Sequence, residues 1–150
     1  MTSIRRALTV ATAAAGAVVL ATTPAEALPN WQPWHFPQTQ YDCETTTPSH
    51  ISTKVVGQTC VVWNDKSVQG VLLVRNNATV NIKLDAGRIA WYDKNGNFLH
   101  SSYCTTEKIV QPGELTACYG QSIPSTILGN KVRGQYLYNG SYNDTVAETW

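Results

Sequence analysis

The most regular stretch of the chain runs from Val80 to Asp85, where Val80, Ile82 and Leu84 alternate with Asn81, Lys83 and Asp85. A period of two describes a strand with one buried and one solvated face. Beyond it the large apolar positions fall at Ile89 and Trp91, an odd set after an even one. Asp85-Ala86-Gly87 lies between the two sets, so the pattern predicts a bulge or a tight turn there. Upstream, Val55 to Trp63 is β-branched and aromatic, a composition suited to a pleated surface, and Asn64-Asp65-Lys66-Ser67 is turn chemistry. Val68 to Val74 follows as a second strand, closed by Arg75-Asn76-Asn77.

Downstream, Asp93-Lys94-Asn95-Gly96-Asn97 predicts a hairpin, because Asn-Gly readily supplies positive φ. Phe98 to Tyr103, Lys108 to Gln111 and Leu115 to Tyr119 read as short strands, the last two separated by Pro112-Gly113-Glu114. Gln121 to Asn130 reads as a connection with room for one helical turn. Val132 to Tyr138 and Ser141 to Ala147 flank an Asn139-Gly140 turn, with Tyr136 and Tyr138 on one face of their strand. No apolar pattern of period 3.6 is sustained anywhere after the N-terminal segment. Several short strands at turn-marked intervals make the expected class all-β, a sandwich or barrel.

The N-terminus has a different texture. Arg5 and Arg6 precede an uncharged run from Ala7 to Thr22, and Ala25-Glu26-Ala27 follows Pro24. A positive start, an apolar middle and an A-x-A site make residues 1–27 a cleaved secretory signal peptide. The alternative, an uncleaved anchor, is disfavoured because a membrane span needs about 20 strongly apolar residues and this run is rich in Ala and Thr. No cysteine lies near the cut, which disfavours a lipoprotein. The expected location is therefore extracellular, without stable membrane insertion.

Residues 28–50 form an expected N-terminal arm ahead of one domain at 51–150. Prolines at 29, 33, 37 and 48 exclude a regular helix and remove ladder donors. Trp31, Trp34 and Phe36 are the candidate binding residues, since aromatic rings spaced by prolines suit a flat platform. Their structural alternative is to cover an open end of the sandwich.

Charge narrows the partners. Of 11 basic and 10 acidic residues the signal holds Arg5, Arg6 and Glu26, so the mature chain carries nine of each. A balanced chain offers no electrostatic case for nucleic acid or for an acidic membrane surface. Cys43, Cys60, Cys104 and Cys118 all lie in the mature part, and an even number in an exported domain predicts disulfides. Four cysteines allow three pairings. Cys104 and Cys118 are nearly symmetric about Pro112-Gly113, so antiparallel pairing of the flanking segments would join them and leave Cys43 for Cys60. The spacings contain no C-x-x-C and no paired histidines, so no metal site is expected, and no cofactor.

Catalytic signals are lacking. There is no G-x-S-x-G elbow, and His35, His50 and His100 are scattered. Asp42 and Glu44 flank Cys43 and could be read as the two acids of a glycosidase, but solvated charges beside a disulfide explain them better. His100 reads as a surface strand residue. Sequons at Asn77, Asn139 and Asn143 carry little weight, because such triplets recur by chance.

Three stretches carry a resemblance: Gly70 to Asn77 (G-V-L-L-V-R-N-N), Ile89 to Gly96 (I-A-W-Y-D-K-N-G) and Pro112-Gly113-Glu114. Over about residues 68–119 the chain resembles the FxLYD-type domain, an immunoglobulin-like β-sandwich of bacterial secreted and envelope proteins. The resemblance implies that fold and export, and brings no catalytic residues with it. Cys104 and Cys118 around the Pro-Gly turn depart from the pattern. The resulting expectation is a secreted, non-enzymatic sandwich that binds cell-envelope polysaccharide or another exported protein. The alternative is a secreted inhibitor or toxin-like effector presenting a rigid loop within Ser101 to Gln111.

Overall fold

The computed structural model describes residues 30–35, 40–124 and 129–149. The expected signal peptide, Phe36 and Trp150 lie outside them. Twelve strands follow in order: β1 (Gln32–Pro33), β2 (Gln40–Cys43), β3 (Thr47–Pro48), β4 (Val55–Trp63), β5 (Ser67–Asn76), β6 (Ile82–Tyr92), β7 (Phe98–Cys104), β8 (Lys108–Val110), β9 (Leu115–Pro124), β10 (Lys131–Tyr138), β11 (Ser141–Asp144) and β12 (Glu148–Thr149). They form two antiparallel sheets. The first has the order β1-β9-β5-β4-β2, with β3 also on β4. The second has the order β11-β10-β6-β7, with β8 on β6 and β12 on β10. The chain is all-β, as its pattern predicts.

The sheets face each other across one core. Val55, Val61, Val68, Leu72, Val74 and Cys118 come from the first sheet, and Ile82, Leu84, Ile89, Trp91, Val110, Val132 and Tyr136 from the second. Close approach requires small residues opposite large ones. A Cβ on Gly70 would stand 2.5 Å from Val132 and 2.9 Å from Ile89, so this position admits no side chain. One buried polar clip also joins the sheets. Thr59 and Thr145 hydroxyls bond each other, Gly134 N–H donates to Thr59 at 2.9 Å, and the Thr145 hydroxyl donates to the Gly134 carbonyl at 2.9 Å.

The phase break is a bulge inside one continuous strand. Leu137 pairs with Ala86 and Tyr138 with Leu84, so Asp85 is the extra residue and the buried face passes from Ile82 and Leu84 to Gly87, Ile89 and Trp91. Val80, grouped with that face by its spacing, precedes the strand and is 64% exposed. The Asp93 turn forms as expected, its carboxylate accepting the Asn95 and Asn97 N–H groups at 2.8 Å. Asn139 and Gly140 both take positive φ between β10 and β11.

Other expectations change. Pro112-Gly113 does not close a hairpin: β8 pairs with β6 and β9 with β5, so the turn carries the chain from one sheet to the other. It is held by Asn76 at the end of β5, whose carbonyl accepts Gly113 N–H at 2.7 Å and whose N–H donates to the Glu114 carbonyl at 3.1 Å. The disulfides join Cys43 to Cys60 and Cys104 to Cys118, but the second bridges the two sheets rather than two neighbouring strands. Nor is the N-terminal segment separate from the domain. β1 pairs with β9, and β2 and β3 pair with β4, so its described residues build the first sheet's edges.

Candidate functional site

The N-terminal aromatics divide. Trp31 is 8% exposed and sits in the core, its indole so close to Gly87 that an added Cβ would come within 2.7 Å of it. The same Cβ would lie 3.3 Å from Cys118 Sγ, so the ring lies beside the inter-sheet disulfide. A ring packed in this way cannot serve as a platform. Trp34 is half-buried on the outer face of the first sheet, stacked on Tyr119 at 6.2 Å and meeting Tyr41 edge-on at 6.3 Å. With the Cys43–Cys60 bridge it covers Val71, Leu73 and Ala117, a small second apolar cluster.

Asp42 and Glu44 lie along and just past the β2 edge, near Glu148. Burial, and then the negative fields of Glu44 and Asp42, push the Glu148 carboxyl above the ordinary carboxylate range despite a hydrogen bond from Thr149 N–H. A raised native pKa means that the neutral acid is the form suited to the fold. Its contribution is fully present below the unfolded value of 4.5 and is lost as pH rises through the native value. Glu148→Gln is therefore expected to raise the melting temperature at neutral pH and to leave it unchanged in acid. A fall at neutral pH would show that the carboxylate itself stabilises the fold.

His100, expected at the surface, is half-buried and stacked on Trp91 at 6.3 Å, and burial lowers its pKa. It faces the core because it is paired with Trp91 across β6 and β7, and cross-strand partners share a face. Among the described residues no three His, Cys, Asp or Glu side chains gather as a metal site requires.

The outer face of the second sheet has the composition of a binding surface. Its register aligns four rows across the strands. Tyr142, Leu137 and Ala86 form the first, and Asp144, Gln135, Arg88 and Tyr103 the second. Arg133, Ala90 and Ser101 form the third, and Lys131, Tyr92 and Phe98 the fourth. Tyr142 is 61% exposed, Phe98 53% and Tyr103 50%. Large aromatics left in water on one face usually mark an interaction site.

Arg88 is the centre of this arrangement. Its Cζ lies 5.6 Å from the Phe98 ring centroid and 5.8 Å from that of Tyr103, so both rings engage the guanidinium. Tyr92 meets Phe98 edge-on at 6.0 Å, and the Ser101 hydroxyl donates to Tyr103 Oη at 3.1 Å, which orients the outer rings. Arg88 Nε is buried and has no hydrogen-bond partner among the described residues. Two shallow depressions flank the rows. One, of about 210 Å³, is lined by Arg88, Tyr103, Gln135, Leu137 and Tyr142 over the small floor of Ala86 and Gly87. The other, of about 310 Å³, lies between Tyr92, Gly96, Lys131, Arg133 and Ala147. Of these residues Tyr103 falls inside the candidate segment Ser101 to Gln111, whereas the sequence did not mark Arg88, Lys131, Arg133 or Gln135 as site residues.

No family model matches the chain, and no curated protein matches it. Among solved structures it is similar to a protein from Archaeoglobus fulgidus. The two are 16% identical over 64% of this chain and 94% of the other, with a TM-score of 0.33. A likeness that slight says nothing about function.

Among the described residues no helix is long and apolar enough to cross a membrane. The two disulfides are suited to an oxidising compartment.

Proposed function

We propose that this protein is a secreted, non-enzymatic β-sandwich of immunoglobulin-like type, of the FxLYD kind that its strand pattern resembles, and that it works by binding. The partner is cell-envelope polysaccharide or another exported protein. The observation that carries this reading is the outer face of the second sheet, where exposed Phe98, Tyr103 and Tyr142 gather around Arg88, whose guanidinium lies over two of the rings. Tyr and Arg dominate binding hot spots because they combine large contact area with directed donors. The signal-like N-terminus and the two disulfides support export. The face replaces the N-terminal aromatics as the proposed surface, since Trp31 is core and Trp34 lies on the opposite sheet.

The inhibitor or effector reading has less support. It relied on a loop from Ser101 to Gln111, yet most of that segment is strand. Ser101–Cys104 completes β7 and Lys108–Val110 is β8, leaving a short connection in which Glu107 is ion-paired to Lys83 at 2.6 Å.

Purified protein with intact disulfides would be tested for co-sedimentation with peptidoglycan and insoluble polysaccharides, and for capture of exported proteins. Binding is expected to be lost in a Tyr103→Ala/Tyr142→Ala double variant and kept in Trp34→Ala. The reverse result would return the binding surface to the N-terminal segment.

A further inference from the structure

We propose that the ligand of this sheet face is an anionic polysaccharide, and that Arg88 grips an acidic oxyanion carried by its sugars. The inference rests on the reading of that face as the binding surface, and it specifies the chemistry recognised.

The first argument is charge. Arg88, Arg133 and Lys131 all project from this face, and among the described residues none of them is in an ion pair. The acid in their rows is Asp144, and its carboxylate already accepts a hydrogen bond from Gln135 Nε2 at 3.0 Å. The mature chain is neutral overall, so an unpaired positive face reflects separation of charge. Asp42 and Glu44 lie at the β2 edge of the first sheet, and Glu148, on β12, pairs with Val132 and so shares its core side rather than the outer face. Complementarity then calls for a negative partner here.

The second argument is the geometry of Arg88. Arg88 Cζ lies over the Phe98 and Tyr103 rings, 5.6 and 5.8 Å from their centroids, and the N–H donors of a guanidinium lie in its plane. That planar fork is the shape that binds carboxylate, sulfate or phosphate in bidentate fashion.

The third argument separates a glycan from an acidic protein. Protein hot spots cluster in well-packed, fully desolvated pockets. This face instead offers two shallow depressions, separated by the row that holds buried Ala90, with aromatic and cationic side chains bordering both. From Ala86 to Tyr92 the strand advances about 20 Å, enough for several units of a linear polymer. Flat rings suit the C–H faces of sugars, and Gln135, Ser101 and the cations supply donors between them.

Binding of four probes would be measured at one salt concentration: polygalacturonate, its methyl ester, dextran sulfate and polyglutamate. The wild-type protein is expected to bind polygalacturonate or dextran sulfate at least about tenfold more tightly than the uncharged ester. Which of the two wins tells carboxylate from sulfate. Arg88→Gln should abolish the preference and Arg88→Lys should restore only part of it, because an ammonium is a point charge without the fork. If Arg88→Gln melts early, Arg133→Gln, at a fully surface position, is expected to reduce the same preference. Equal binding of acid and ester, or a preference that survives both substitutions, would overturn the proposal. If Tyr103→Ala then still weakens binding, the sheet face stands as the binding surface. Tighter binding of polyglutamate than of either glycan would overturn it in favour of an acidic protein. Failure of all four probes, with Tyr103→Ala also leaving every captured partner in place, would overturn the broader reading as well.

Discussion

Trp91→Ala is expected to destabilise the fold by about 3–5 kcal/mol, the range for deleting a fully buried large ring. Trp91 is wholly inaccessible, and its indole reaches from the second sheet toward Gly70 of the first, where an added Cβ would lie 3.5 Å from it. Truncation would leave a void between Gly70, Val132 and Ile89, residues that come from three strands in two sheets and cannot all move inward. His100 would also lose its stacking partner. Denaturant unfolding measures the loss. A cost near 1 kcal/mol would mean that the sheets collapse onto the gap, and that their spacing is set elsewhere.

The second large effect is expected from the disulfides, through a comparison between them. Cys43–Cys60 closes 17 residues and Cys104–Cys118 closes 14, so a chain-entropy estimate gives both about 3 kcal/mol. The structure separates them. Cys43 and Cys60 are direct cross-strand partners, and their bridge fastens the edge strand β2 to a sheet that stays hydrogen-bonded without it. Cys104 and Cys118 are both fully buried, join the two sheets, and pack beside Trp31. Cys104→Ala/Cys118→Ala is therefore expected to lower the melting temperature clearly more than Cys43→Ala/Cys60→Ala. Equal losses would show that loop entropy alone accounts for both bridges.

The pairing of these cysteines shows how a sequence argument can reach the right partners by the wrong route. Symmetry about Pro112-Gly113 suggested adjacent strands, because local turn chemistry is readable within a few residues. Yet β8 takes β6 as its neighbour and β9 takes β5, with the turn docked on Asn76, which is distant in sequence. A Pro-Gly turn reverses a chain whether the next strand joins the same sheet or the opposite one. That choice depends on which apolar faces need covering.

The candidate site was hidden for a related reason. Alternation along β6 and β10 separates Ala86, Arg88, Ala90 and Tyr92 from the core set, and Lys131, Arg133, Gln135 and Leu137 likewise. Each run alone looks like an ordinary solvated face. Only the register places Arg88 opposite Tyr103 and Tyr92 opposite Phe98. The aromatics at Trp31 and Trp34 are close together in sequence, whereas the sheet-face cluster is gathered from four strands.

By itself, then, the amino-acid sequence determined the class, the positions of most strands, the bulge near Ala86 and the Asp93 and Asn139 turns. All of these follow from period-two patterning and from residues whose φ preferences act locally. Tertiary structure decided which strands share a sheet, that one disulfide crosses between sheets, that Trp31 is core, and that aromatics and cations meet on one outer face. Those outcomes depend on contacts between residues far apart in the chain. A local pattern restricts such contacts without selecting among them.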